Sequence, residues 1–232
     1  MKDPIIVVGC ARSGTSMTAG MLNICGAFGG EMYGPSDAAQ RGMFENIRIR
    51  NQIVKPYLKK IGADPMGQKP LPNNRQVFEV SQPEIDKWRR EVLGIMTLER
   101  LEINSPWFIK CTKSAQIWYI WHKAFPKAQW IIVHRNHEDN IRSCLLTRFM
   151  RAYKDAEGWH KWIDAHEKRF AEMATAGLSI IDFYPSKLCA GDFGYARSMI
   201  EMVGLTWQEK LVRAFIEPKW FNQEGKYGTK GN

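Results

Sequence analysis

The chain has 232 residues, 44% of them apolar and 25% charged, with 33 Lys and Arg against 24 Asp and Glu for a formal charge of +9. That balance excludes an intrinsically disordered chain and supports a sizeable core, expected as one domain over residues 1–232. No apolar run approaches the ~18 residues of a membrane span, and Ile5–Cys10 is too short and wrongly flanked for a signal peptide, so a cytoplasmic protein is expected.

The first element is Ile5-Ile6-Val7-Val8, a wholly apolar, β-branched run ending at Gly9, which reads as a strand buried on both faces of a parallel sheet. Beyond a short loop, Met17, Met21, Leu22 and Ile24 fall at helical spacing, and Gly26 offers a stop. Residues 27–42 are rich in Gly, Pro, Ser and Asp; after them Ile47, Ile53, Val54, Leu58 and Ile61 predict a helix disturbed by Pro56, then a loop over 62–74. Ser81 and Glu84 form a capping-box signature ahead of the helical face Ile85, Trp88, Val92 and Ile95. Strands at 107–109 and 130–133 bracket a helix carrying Ile117, Trp118 and Trp121. Helical periods follow at Ile141/Leu145/Phe149 and from Trp159 through Trp162, His166 and Phe170 to Met173, then a strand at 179–183. Two last helices are predicted over 192–203 and 207–216, the second stopped by Pro218.

Apolar strands alternating with helices predict an α/β fold: a three-layer, P-loop-like parallel sheet with helices on both faces, and no internal repeat. Such sheets bind ligands where their strands end, which directs attention to 9–16, 110–113 and 134–143. The five cysteines are odd in number and widely spaced, and none of the five histidines stands in a metal motif, so reduced thiols and no metal are expected. His160 and His166 read as structural residues of a long amphipathic helix, and the recurring tryptophans as core. The positive charge is compatible with nucleic acid, an anionic surface or an anionic small molecule, but no dense basic tract is present and Lys59-Lys60 and Arg89-Arg90 sit among acids, so nucleic acid is unsupported and not expected.

In Gly9-Cys10-Ala11-Arg12-Ser13-Gly14-Thr15-Ser16 two glycines stand five apart between a buried strand and a helix, the glycine spacing of a phosphate-binding loop. Successive N–H groups and the helix N-terminus converge there on an anion, with Ser13, Thr15 and Ser16 adding hydroxyls. The Walker lysine is missing, since Thr15 follows the second glycine, and the basic residue is Arg12 within the loop, where a guanidinium can fork onto phosphate or sulfate oxygens.

Arg12-Ser13-Gly14-Thr15-Ser16 after a buried strand resembles the 5′-phosphosulfate loop of the sulfotransferases that use 3′-phosphoadenosine 5′-phosphosulfate (PAPS). A second motif agrees: Arg135 at a strand end and Ser143 eight residues on resemble that family's 3′-phosphate pair, although His137 stands where the family often has Pro. Phe108-Ile109-Lys110, Phe125-Pro126-Lys127-Ala128 and 203–207 extend the likeness over most of the chain. Near the C-terminus Gly225–Lys230, including Lys226, resembles the basic loop that covers the 3′-phosphate, but residues 225–232 read equally as a flexible tail.

The resemblance implies a sulfuryl transfer from PAPS, leaving adenosine 3′,5′-bisphosphate, with Arg12 and Lys110 neutralising the leaving phosphate and no metal. The cytosolic branch of the family carries a His base two residues after the strand lysine, where this chain has Thr112. Gly42-Met43-Phe44-Glu45 is similar instead to the G-aromatic-aromatic-Glu segment of glycan-modifying and bacterial members, which makes Glu45 the candidate base; the same carboxylate also reads as a helix N-terminal acid. His134 and His122 are the next candidates. A small-molecule, lipid or glycan acceptor is expected, shaped by 27–42, 55–76 and 151–158. A nucleotide kinase and a catalytically silent nucleotide-binding module remain the alternatives.

Overall fold

The structure is a computed structural model that describes residues 2–36 and 39–217. Four parallel strands, β1 (Ile5–Gly9), β2 (Phe108–Lys110), β3 (Gln129–Val133) and β4 (Ser179–Phe183), lie in the order β2-β1-β3-β4. Every neighbour is parallel, and Gly9, Val133 and Phe183 stand level in the register while Lys110 pairs with Val7. The strand ends that carry the polar motifs therefore share one edge of the sheet.

Alternation along the strands divides the core into two layers. Ile6, Val8, Ile109, Trp130 and Ile132 point to one face, and Ile5, Val7, Phe108, Ile131 and Val133 to the other. The first face is covered by α2 (Lys55–Lys60), α4 (Gln82–Leu98), α5 (Trp118–Ala124) and α7 (Ala156–Thr175); the second by α1 (Thr15–Ile24), α8 (Pro185–Cys189), α9 (Phe193–Met202) and α10 (Glu209–Phe215). This is the expected three-layer arrangement, and the apolar character of the inner strands, Gln129 at the start of β3 apart, follows from burial on both sides. The edge strand β4 is more exposed, with Asp182 on its open side, and beyond β2 the amide of Phe108 bonds to Phe28 O at 3.0 Å.

The expected caps form. Ser81 N donates to the Glu84 carboxylate at 3.0 Å, and Ile85, Trp88, Val92 and Ile95 are buried behind it. The tryptophans of α5 and α7 are core residues as predicted, Trp118, Trp121, Trp159 and Trp162 all being buried. Short helices at α3 (Asn74–Phe78) and α8 lie where the periodicity is too brief to read.

Two expectations are corrected. The disturbance ahead of Pro56 is a π-helical turn over Ile49–Val54, in which Lys55 N donates to Arg50 O, five residues back. Helix α6 (His137–Leu146) stops before Phe149, where Thr147 is extended and its hydroxyl donates to the Ser143 carbonyl at 2.6 Å. Ile141 is buried, but Leu145 and Phe149 are exposed rather than a continued core face. Pro218 and the 225–230 segment lie outside the described residues.

Candidate active site

The loop after β1 is held open by backbone geometry. Arg12 has φ 72° and Gly14 φ 104°, so the chain turns sharply into α1, and a Cβ on Gly9 would lie 2.5 Å from the Val133 carbonyl. Gly14 caps α1 with no side-chain acceptor, and the first turn holds no acid. The first-turn amides, which no helix can satisfy internally, thus face the strand edge with their dipole uncompensated. Ser13 Oγ is buried in the loop without a hydrogen-bond partner, an orphan that an anionic oxygen would satisfy.

The second motif meets the first. Arg135 donates to the Arg12 carbonyl at 2.9 Å, and Arg12 Nε donates to Ser143 Oγ at 3.1 Å across 131 residues of sequence. Arg12, Arg135 and Ser143 therefore form one cationic corner. Burial, opposed by Asp139, moves the Arg135 pKa down from its ordinary value, the direction expected of a guanidinium withdrawn from water beside Arg12.

Across the edge stands Glu45. Phe44 adopts φ 56° and packs edge-on against Phe215, and this turn presents the next side chain inward. Glu45 accepts a hydrogen bond from Lys110 Nζ at 3.1 Å and forms an ion pair with Arg50, whose Nε lies 2.6 Å away, all three being largely buried. Burial alone would raise its pKa, but Lys110, Lys113 and Arg50 together hold it down to about 2. Glu45 is not the helix cap, since Asn46 Oδ1 takes the Ile49 amide at 2.9 Å.

Most of these groups line one cavity of about 430 Å³, whereas Ser13 and Ser143 are buried behind its lining. Its walls include Arg12, Gly14, Thr15 and Ser16 on the loop side, and Glu45, Lys110 and Arg135 around them. Ser16 donates its hydroxyl to Met43 O at 3.3 Å, so its proton is already engaged within the wall. Lys226 lies outside the described residues, and neither His134 nor His122 lines the cavity. His134 is held instead by Asp182 at 2.7 Å and stacks on Tyr184.

Three contributors went unread. Lys113 is buried in the cavity wall within the field of Glu45, and Arg50 reaches Glu45 because the π-helical turn re-aims it. Gln68 is the third: its amide donates to Phe149 O and its carbonyl accepts from Arg151 N, both at 2.8 Å, bolting two loops into one rim. Met66, Met43, Phe149, Met150 and Phe215 make that rim apolar. The lining from the second loop is thus Phe149 and Met150 rather than 151–158, because α6 ends early.

A family model described as the sulfotransferase family matches residues 4–209. The sulfotransferase STF9 of Mycobacterium avium is similar in fold, with a TM-score of 0.56 at 12% identity over 100% of this chain and 70% of the other. STF1 of Mycobacterium tuberculosis H37Rv aligns with a TM-score of 0.46 at 14% identity, over 96% of this chain and 76% of its own. No curated protein sequence matches. With the family model spanning both oxyanion devices and the Glu45–Lys110 pair, the chain belongs to the sulfotransferase family.

Proposed function

We propose that the chain transfers the sulfuryl group of PAPS to a hydroxyl or amine of a small-molecule, lipid or glycan acceptor, and that the cavity holds donor and acceptor together. The observation that supports this reading is the junction of Arg12, Arg135 and Ser143, which joins the two motifs read as phosphate-binding at the point where Arg12 and Arg135 line the cavity. Bound there, PAPS supplies a sulfuryl group whose bond to the donor phosphate breaks as the acceptor oxygen or nitrogen attacks from the opposite side.

The α1 amides, Ser13 and Thr15 hold the 5′ end, while Arg135 and Ser143 hold the 3′-phosphate. Arg12, bonded to Ser143, links the two ends. Lys110 then carries the main share of the charge on the leaving phosphate, with Arg12 assisting. Glu45 takes the acceptor proton. At a pKa of about 2 it is ionised but weakly basic; an anion that engages Lys110 and Lys113 relaxes their hold and shifts Glu45 upward, toward a useful base.

Calorimetry tests the donor. Adenosine 3′,5′-bisphosphate should bind at least about tenfold tighter than AMP or ATP, and Arg135→Ala should erase most of that preference. Equal affinities would overturn the assignment. Once an acceptor is found by mass gain in a PAPS-fed screen, its turnover should survive EDTA; strict Mg²⁺ dependence with ATP turnover would favour a kinase.

A further inference from the structure

Helices α6 and α7 meet outside the cavity in a cluster that sulfuryl transfer does not use. His137 opens α6; His160 and Asp164 stand one turn apart on α7. Each offers a ligand atom, and these atoms lie within 4.8 Å of one another. Spacing along the chain hides the set, because His137 and His160 belong to different helices and meet only through the fold, their rings 5.9 Å apart. His160 is half-exposed at this junction rather than a core residue like His166.

The ligand atoms lie within reach of a common ion. Nδ1 of His137 lies 3.9 Å from one Asp164 oxygen, and Nδ1 of His160 lies 3.1 Å from the other. Tetrahedral ligands at about 2.0–2.1 Å from an ion stand about 3.3 Å apart, so these separations close with small side-chain rotations. Glu167, the next turn of α7, lies 3.9 Å from His137 Nε2 and 3.7 Å from His134 Nδ1, and adds negative charge beside the set. Two imidazoles and one carboxylate suit zinc-like transition ions, whereas calcium and magnesium prefer all-oxygen sites. The side chains are 39%, 51% and 47% exposed, which leaves a further position to water.

We propose that His137, His160 and Asp164 bind one divalent transition-metal ion of the zinc class. The ion ties the first turn of α6 to α7. Arg135 lies two residues before His137, and Ser143 is in the same helix, so the clamp steadies the segment that carries the 3′-phosphate pair. It stands outside the cavity wall and takes no part in the transfer step.

The test uses the full chain freed of metal by EDTA and dialysis. Calorimetric titration with ZnCl₂ should show saturable binding at one equivalent, and CoCl₂ should give the visible absorption of nitrogen- and oxygen-ligated cobalt. His160→Ala and His137→Ala should each weaken zinc binding at least about tenfold. Thermal melts keep the result interpretable: zinc should raise the melting temperature of the parent chain but not of His160→Ala. No saturable zinc uptake by the parent, or parent-like uptake by both histidine variants, overturns the proposal. Bisphosphate titration of the same variants confirms that they are folded.

Discussion

The helices that follow the two central strands begin at the same edge of the sheet, yet their N-termini are finished in opposite ways. In α6, Asn136 Oδ1 accepts the Asp139 amide, and Glu138 and Asp139 place acid in the first turn. In α1, a left-handed glycine caps the helix without a side-chain acceptor, and no acid follows. Each N-terminus carries roughly half a positive charge. Where the chain provides its own carboxylates that charge is answered internally; where it provides none it is left for a ligand. On the proposed reading the anion sits on the amides of α1, while Arg135, just ahead of α6, and Ser143 within it contribute side chains.

The largest effect should come where the anion held by α1 meets the acceptor. Glu45→Gln should lower turnover by about 10²-fold or more at saturating donor, while bisphosphate affinity stays within about threefold. Breaking one partner of a buried pair costs about 3–5 kcal/mol, so the free variant should melt lower, and bisphosphate should restore part of the loss by engaging Lys110. The pH sign is fixed by the depressed pKa of about 2. Glu45 stabilises the fold above the ordinary carboxylate pKa, and that stability fades as pH falls from about 4.5 toward about 2; the Gln variant lacks this part of the acid transition. In turnover, the acidic limb for the donor complex should lie above that for the free protein, and the Gln variant should lack it. Full activity in Glu45→Gln would move the base elsewhere.

A direct way to break the contrast is to give α1 what α6 already has. Ser16→Asp sets a carboxylate in the first turn of α1 and should weaken bisphosphate binding by about 10- to 10²-fold through repulsion at the amides. Unchanged affinity would mean that the anion sits elsewhere.

How far the sequence discloses this site depends on how local each contact is. β1, β2 and β3 are legible because burial on both faces leaves apolar runs such as Ile5–Val8, and Gly9 and Gly14 mark the loop between strand and helix. The Arg135–Ser143 pair is legible because both residues lie in one strand-to-helix segment. Arg50 was not, because its approach to Glu45 depends on a π-helical turn; nor was the apolar rim, which needs Gln68 to bind a loop 81 residues away. The His137, His160 and Asp164 cluster is hidden for the same reason, since packing of α6 on α7 creates it.

The smallest effect examines the other half of the comparison. If α6 is finished internally, Asn136→Ala should remove one cap and lower stability by about 1 kcal/mol, as loss of a side-chain acceptor at an N-cap does. Its effect on bisphosphate binding should stay within about twofold, because the ligand needs the Arg135 guanidinium and the Ser143 hydroxyl rather than the α6 amides. Denaturant unfolding and calorimetry on the same sample separate the two readouts. A tenfold loss of affinity with little loss of stability would show the α6 N-terminus in contact with the donor, and the two helices would then share one anion-binding role. A loss of stability alone leaves α1 as the helix that meets the phosphate, and assigns the acids of α6 to holding their own helix in place.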